Sequence, residues 1–284
     1  MGELMTIKNI GFIGLGAMGS VMAPLIVKSG FNVLGYDIKA KIDKLSGVKQ
    51  VEDINELNSL DVIIFMLPNG RIVSEIAIRL LEKNLKSLFI DMSSSDPRET
   101  QELGKKLKNK GVKFLDAPVS GGVARAKTGD LMIMAGGDEK ILEEVNDLLS
   151  VMGKVQFAGP LGSGHAIKAL NNYVSAAGLI SSFEALATAR SFGIEPENFL
   201  KIINGATGKN NTTEVKLDKF VISEKFNSGF ALDLMVKDVT IANSLVRDFS
   251  DKPFSNDVLS HLSVSLKALG GNPDHTEVYK AIKK

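Results

Sequence analysis

One run, Gly11-Phe12-Ile13-Gly14-Leu15-Gly16-Ala17-Met18-Gly19, limits what this chain can fold into more than any other. It follows an apolar-alternating stretch, Ile7 to Phe12, that reads as a buried strand. It leads into Val21 to Ser29, whose apolar spacing suits a helix. A G-x-G-x-x-G at a strand-to-helix turn is the setting that a dinucleotide fingerprint requires. Gly14 permits the tight turn, Gly16 lets the backbone approach a pyrophosphate, and Gly19 lets the helix sit close on the strand. The helix N-terminus adds free N–H groups and a partial positive charge. Leu15, Ala17 and Met18 complete the loop, and the whole run is read as cofactor-binding. A second strand, Asn32 to Tyr36, ends in Asp37. An acid about 20 residues beyond the glycines is where a ribose 2′-hydroxyl is gripped. Its carboxylate repels a 2′-phosphate, so NAD is expected; Lys39 and Lys41 just beyond leave NADP open.

The chain then alternates. Val62 to Met66 and Leu88 to Asp91 are apolar strand runs, Ile72 to Leu81 and Pro97 to Asn109 are helical in pattern, and Asp53 to Leu57 suits a short helix. Val112 to Leu115, Leu131 to Ala135 and Lys154 to Phe157 continue the strands, with Glu139 to Leu149 as a helix. This alternation predicts an α/β fold, a Rossmann-type doubly wound parallel sheet. Beyond the joint Gly159-Pro160-Leu161-Gly162-Ser163-Gly164 no strand pattern recurs. Ala166 to about Phe192 predicts a long helix, followed by helical segments at Glu197 to Asn204, Thr213 to Phe220, Leu232 to Phe249, Ser255 to Ala268 and Thr276 onward. The expected domains are residues 1–161, binding a dinucleotide, and residues 162–284, an all-α substrate and oligomerisation domain joined by the long helix.

Composition narrows the chemistry. The 284 residues contain no cysteine, which removes thiolate nucleophiles and cysteine-ligated metal sites. The three histidines, His165, His261 and His275, are scattered, so no metal is expected. A net charge of +1 gives no cause to expect nucleic acid or an anionic membrane as a partner. Absence of a membrane-length apolar run and of a signal-peptide pattern points to a cytoplasmic protein.

Two stretches could carry a reaction. Asp116-Ala117-Pro118-Val119-Ser120-Gly121-Gly122 follows a strand and offers a hydroxyl and bare backbone N–H groups, a seat for a carboxylate, although it also reads as an ordinary turn. Gly162 to Asn172 places Lys168 and Asn172 four apart on one face of an otherwise apolar helix. Burial beside apolar neighbours disfavours an ammonium, which suits proton transfer near neutral pH. A snorkelling lysine at a helix interface is the plainer reading of the same pattern. His165 reads as a first-turn surface residue, and the Tyr279/Lys283 spacing as chance at a frayed chain end.

These motifs, in this order and with Lys237-Asp238, resemble the β-hydroxyacid dehydrogenase family over nearly the whole length. Leu67-Pro68 and Asp91-Met92-Ser93-Ser94 match further loops that border its cofactor. The resemblance implies hydride transfer between NAD(H), with NADP possible, and a small 3-hydroxy carboxylic acid of the 3-hydroxyisobutyrate kind. Lys168 would be the general acid/base, with Asn172 holding the substrate and Ser120, Gly121 and Gly122 binding its carboxylate. Leu67, Pro68, Ser94 and Lys237 would contact the cofactor, and a homodimer or homotetramer would form. Reduction of a semialdehyde such as tartronate semialdehyde uses the same residues in reverse, and a non-catalytic nucleotide sensor is the alternative from another class. Ser94 replaces a frequent threonine. Arg125 and the loop Gly208 to Thr213 depart from the common pattern, which suggests a pocket for a substrate carrying a further hydroxyl or anionic group.

Overall fold

A computed structural model describes residues 7–39, 47–57, 60–81 and 87–282. Lys41 and Lys283, singled out above, lie outside them. The chain divides into two compact units between Lys168 and Ala169.

The first unit is built on strands β1 (Asn9–Ile13), β2 (Asn32–Tyr36), β3 (Lys49–Gln50), β4 (Val62–Phe65), β5 (Leu88–Asp91), β6 (Phe114–Asp116), β7 (Val119–Ser120), β8 (Leu131–Gly136) and β9 (Gly153–Gly159). Its helices are α1 (Gly19–Lys28), α2 (Gly70–Leu81), α3 (Pro97–Lys108), α4 (Gly122–Lys127) and α5 (Glu139–Ser150). The order β3-β2-β1-β4-β5-β6 is the doubly wound order, parallel throughout. The apolar runs explain why helices cover both faces. In β4, Val62 and Ile64 pack with Met22, Ala23 and Ile26 of α1, whereas Ile63 and Phe65 pack with Val73, Ala77 and Leu80 of α2. Alternate side chains of one apolar strand thus feed two cores. Beyond β6 the sheet becomes mixed: β8 runs antiparallel to both β6 and β7, and β9 parallel to β8. Ala117-Pro118 between β6 and β7 is too short for a crossover helix, so β7 cannot lie parallel beside β6. β3, β7 and α4 are too short to show a period in the sequence.

Order reverses between β1 and β4, so the loops after these strands flank the crevice where such sheets bind ligands.

The second unit is helical. It holds most of α6 (Ser163–Ser191), then α7 (Pro196–Gly205), a wide-turn π-type helix Thr212–Ile222, α8 (Leu232–Val246), α9 (Ser255–Leu269) and α10 (Val278–Ile282). Leu179, Phe183 and Leu186 of α6 meet Leu217, Val221, Met235, Val239, Val258 and Leu262 in one core. Tyr279 belongs to that core and is no frayed end. Its ring stands edge-on to Phe183 at 5.6 Å, and its hydroxyl accepts from Arg190 Nη1 at 3.1 Å. Among the described residues no helix is long and apolar enough to cross a membrane.

Candidate active site

The glycine loop has the geometry of a phosphate cradle. Gly14 sits at φ +97°, in the region that favours glycine, and a Cβ there would collide with the Met66 carbonyl. A Cβ on Gly19 would collide with the Gly14 carbonyl, whereas one on Gly16 would meet nothing within 4 Å. Two glycines are therefore required by close packing, and the third faces open space, as a cradle for a dinucleotide requires. Asp37 anchors this loop: its Oδ2 accepts the Leu15 N–H at 2.7 Å and its Oδ1 the Lys39 N–H at 2.7 Å. Ala17 is exposed and Met18 half-buried on the loop.

The neighbouring strand ends are tied together in the same way. Asp91, buried at the end of β5, accepts from the Ser93 N–H and the Ser95 hydroxyl, both at 2.9 Å. Ser93 Oγ then accepts the Leu67 N–H at 2.9 Å, which fixes the Leu67-Pro68 loop against the Ser93-Ser94 loop. Pro68 is exposed and Ser94 half-buried beside it. Ser120 ends β7, and Gly121 and Gly122 turn the chain into α4 with φ of +138° and +65°.

Asp116 organises the start of α6. Fully buried, its carboxylate accepts the Gly162 N–H at 2.7 Å and the His165 N–H at 2.8 Å, placing negative charge at a helix N-terminus. His165 is not at the surface as the sequence suggests. It is 1% exposed, with Nδ1 2.8 Å from Thr100 Oγ1 of α3 and Nε2 3.7 Å from Asp91 Oδ2. The first turn of α6 is sealed by these acids instead of opening to water. Arg125 pairs with Asp130 at 3.0 Å in solvent, both side chains more than half exposed.

Lys168 is half-buried in the second turn of α6, and Asn172 follows one turn later. In the helical unit Asn172 is 7% exposed and donates through Nδ2 to Asp238 Oδ2 at 2.5 Å, while its Oδ1 accepts from Asn171 at 3.2 Å. Lys237 Nζ lies 3.5 Å from the other oxygen of Asp238. Asn172, Asp238 and Lys237 therefore form one chain of contacts between α6 and α8.

Sequence reasoning passed over Lys216. It projects from the π-type helix, and its Nζ donates to Ser175 Oγ of α6 at 3.2 Å. Burial pulls its pKa down to about 8, opposed by the charge of Asp274. His275 is lowered to about 4 by burial and then by the Lys216 charge, against the raising effects of Asp274 and the Phe230 carbonyl. The loop before this helix is spent on structure: Asn210 Oδ1 accepts the Thr212 N–H at 2.8 Å, and its Nδ2 donates to Ser182 Oγ at 3.0 Å. Among the described residues no three His, Asp or Glu side chains converge as metal ligands would.

Comparison with known proteins places both units. Residues 9–162 match the NAD-binding domain of 6-phosphogluconate dehydrogenase, and residues 162–282 match the NAD-binding domain of NADP-dependent 3-hydroxyisobutyrate dehydrogenase. The chain is 36% identical over 243 residues to 2-(hydroxymethyl)glutarate dehydrogenase of Eubacterium barkeri, covering 82% of this chain and 81% of that one. It is 35% identical over 293 residues to the mitochondrial 3-hydroxyisobutyrate dehydrogenase of Drosophila melanogaster, covering 98% and 90%. The solved structure of Mycobacterium tuberculosis 3-hydroxyisobutyrate dehydrogenase with L-serine superposes with a TM-score of 0.90 at 28% identity, covering 98% of this chain and all of that one.

Proposed function

The chain belongs to the 3-hydroxyisobutyrate dehydrogenase family, and from that premise we propose that it is an NAD(P)-dependent oxidoreductase of small 3-hydroxy acids with Lys168 as general acid/base. The relatives' names span a monocarboxylate, 3-hydroxyisobutyrate, and a dicarboxylate, 2-(hydroxymethyl)glutarate. The open space over Gly16, bounded by glycines that accept no side chain, supports dinucleotide binding at Gly14 to Gly19. Leu67, Pro68, Ser94 and Lys237 border the same cofactor. Asp37 favours NAD, through a carboxylate already held by Leu15 and Lys39 backbone.

A nicotinamide cofactor bound at Gly14 to Gly19 would supply the hydride chemistry in either direction. The protein's own residues handle the proton and the alignment. Lys168 as the free amine accepts the hydroxyl proton; as the ammonium it returns that proton to the developing alkoxide and stabilises its charge. Asn172 orients the hydroxyl-bearing carbon, and Ser120 with the Gly121 and Gly122 backbone N–H groups holds the carboxylate. The observation that carries this reading is the buried Asn172–Asp238 hydrogen bond. That bond offsets the cost of burying the amide and fixes its orientation one turn past Lys168. Reduction of a semialdehyde runs over the same groups.

The helical unit, residues 162–284, is a substrate and oligomerisation domain and forms a homodimer or homotetramer in the cytoplasm. A spectrophotometric screen of small 3-hydroxy acids with NAD+ and NADP+ tests the activity, and sedimentation tests the assembly. Turnover of at least one such acid by the wild type and its loss in Lys168→Ala are expected; no turnover of any would refute the reading.

A further inference from the structure

Lys216 has no place in the reaction just described. It is half-buried, and among the described residues its one side-chain hydrogen bond is to a neutral hydroxyl, Ser175 Oγ at 3.2 Å. Among the described residues no carboxylate lies within 4.0 Å of its Nζ. The charged and titratable groups that influence it are Asp274 and His275. Asp274 is already saturated: it accepts from the Ser228 hydroxyl, the Gly229 N–H, and both the N–H and the hydroxyl of Thr276. His275 is held neutral by burial. The Asp274 charge acts on this partly desolvated ammonium only from beyond ion-pair distance, so an anion brought into direct contact with it would gain.

Its position gives that anion a source. Lys168, Asn172 and Ser175 stand at i, i+4 and i+7 on α6, and so form one stripe of one helix face. From Lys168 to Ser175 the helix rises roughly 10 Å, a span that a short diacid covers with a hydrogen bond at each end. Lys216 meets this stripe at Ser175, beyond Asn172 and away from Lys168. It comes from a π-type helix, a rare form that recurs at functional sites.

We propose that Lys216, with Ser175, binds a second carboxylate at the far end of the substrate, making this chain selective for 3-hydroxy dicarboxylic acids over monocarboxylic ones. This rests on the proposed reaction, because Lys168 and Asn172 must mark the hydroxyl end. Lys216 is a specificity residue and takes no part in hydride or proton transfer.

The full-length protein is assayed with NAD+ and either 2-(hydroxymethyl)glutarate or 3-hydroxyisobutyrate, as wild type, Lys216→Met and Lys216→Arg. In Lys216→Met, kcat/KM for the diacid is expected to fall about 100-fold, mostly through KM, as loss of one buried charge pair predicts. The monoacid value should stay within about threefold, and Lys216→Arg should recover most of the loss, because arginine keeps the charge. An equal loss with both acids, or no loss with the diacid, overturns the proposal. Calorimetric binding of glutarate and butyrate, which lack the oxidisable hydroxyl, separates the two readings. Should the wild type oxidise neither hydroxy acid yet bind glutarate over tenfold more tightly than butyrate in a Lys216-dependent way, the reaction fails and the anion site stands. Equal binding of glutarate and butyrate overturns the anion site whatever is oxidised.

Discussion

Around the proposed site the two units tie down their polar side chains differently. In the sheet unit the acids at strand ends spend their oxygens largely on nearby backbone and hydroxyl donors: Asp37 on Leu15 and Lys39, Asp91 on Ser93 and Ser95, Asp116 on Gly162 and His165. In the helical unit polar side chains bond to one another across an apolar body: Asn172 to Asp238, Ser175 to Lys216. The first pattern fixes the loops at the strand ends. The second leaves side-chain groups poised inside a low-dielectric body, where each bond counts for more and a missing partner costs more. Binding of cofactor and selection of substrate are thus expected to fail separately.

Substitutions test that separation. The largest effect is expected from Gly19→Val, whose side chain must enter the space of the Gly14 carbonyl; saturable NAD+ binding in a fluorescence titration should vanish. Retained affinity within threefold would remove the cradle from the account. Asp238→Ala frees Asn172, and misplacing an orienting group costs about 100-fold in kcat. NAD+ affinity should change far less, and a kcat within threefold of wild type would break the contrast between the units. Asp37→Ser removes the carboxylate that clamps Leu15, so preference for NAD+ over NADP+ in kcat/KM should fall about tenfold, equivalent to about 1.4 kcal/mol; an unchanged ratio would show that selectivity lies elsewhere. The smallest effect concerns pH. His275 stays neutral when folded down to about pH 4, whereas its ordinary value is 6.5. Between those values the unfolded chain binds the extra proton, so stability falls as pH drops from 6.5 toward 4. The melting temperature should decline over this window in the wild type and decline less in His275→Gln. Equal slopes would refute the assignment.

How much could be read beforehand follows from sequence distance. The glycine loop, Asp37 and the strand runs Asn32–Tyr36 and Leu88–Asp91 are local patterns, and their elements stand where the patterns place them. Capping is local too: Asp96, directly before Pro97, opens α3 by accepting the Arg98 N–H. What escaped depends on contacts far apart in sequence. His165 reads as exposed until Asp116, 49 residues earlier, covers its backbone and Thr100, 65 residues earlier, meets its ring. Lys216 looks like one of many surface lysines until Ser175, 41 residues earlier, is found against it. The antiparallel turn at β8 was hidden because β7 is two residues long and carries no period. Arg125 offered a charge but no partner, and the partner, Asp130, is a solvent-exposed neighbour in sequence.

The central claim is that the Lys168 amine exchanges the substrate's hydroxyl proton, and it is tested most directly by single-turnover NADH formation in Lys168→Ala beside an NAD+ titration of the same variant. Removing a general acid/base should slow NADH formation about 1,000-fold or more and leave the NAD+ dissociation constant within about threefold. NADH formation within tenfold of wild type, with NAD+ bound, would contradict it.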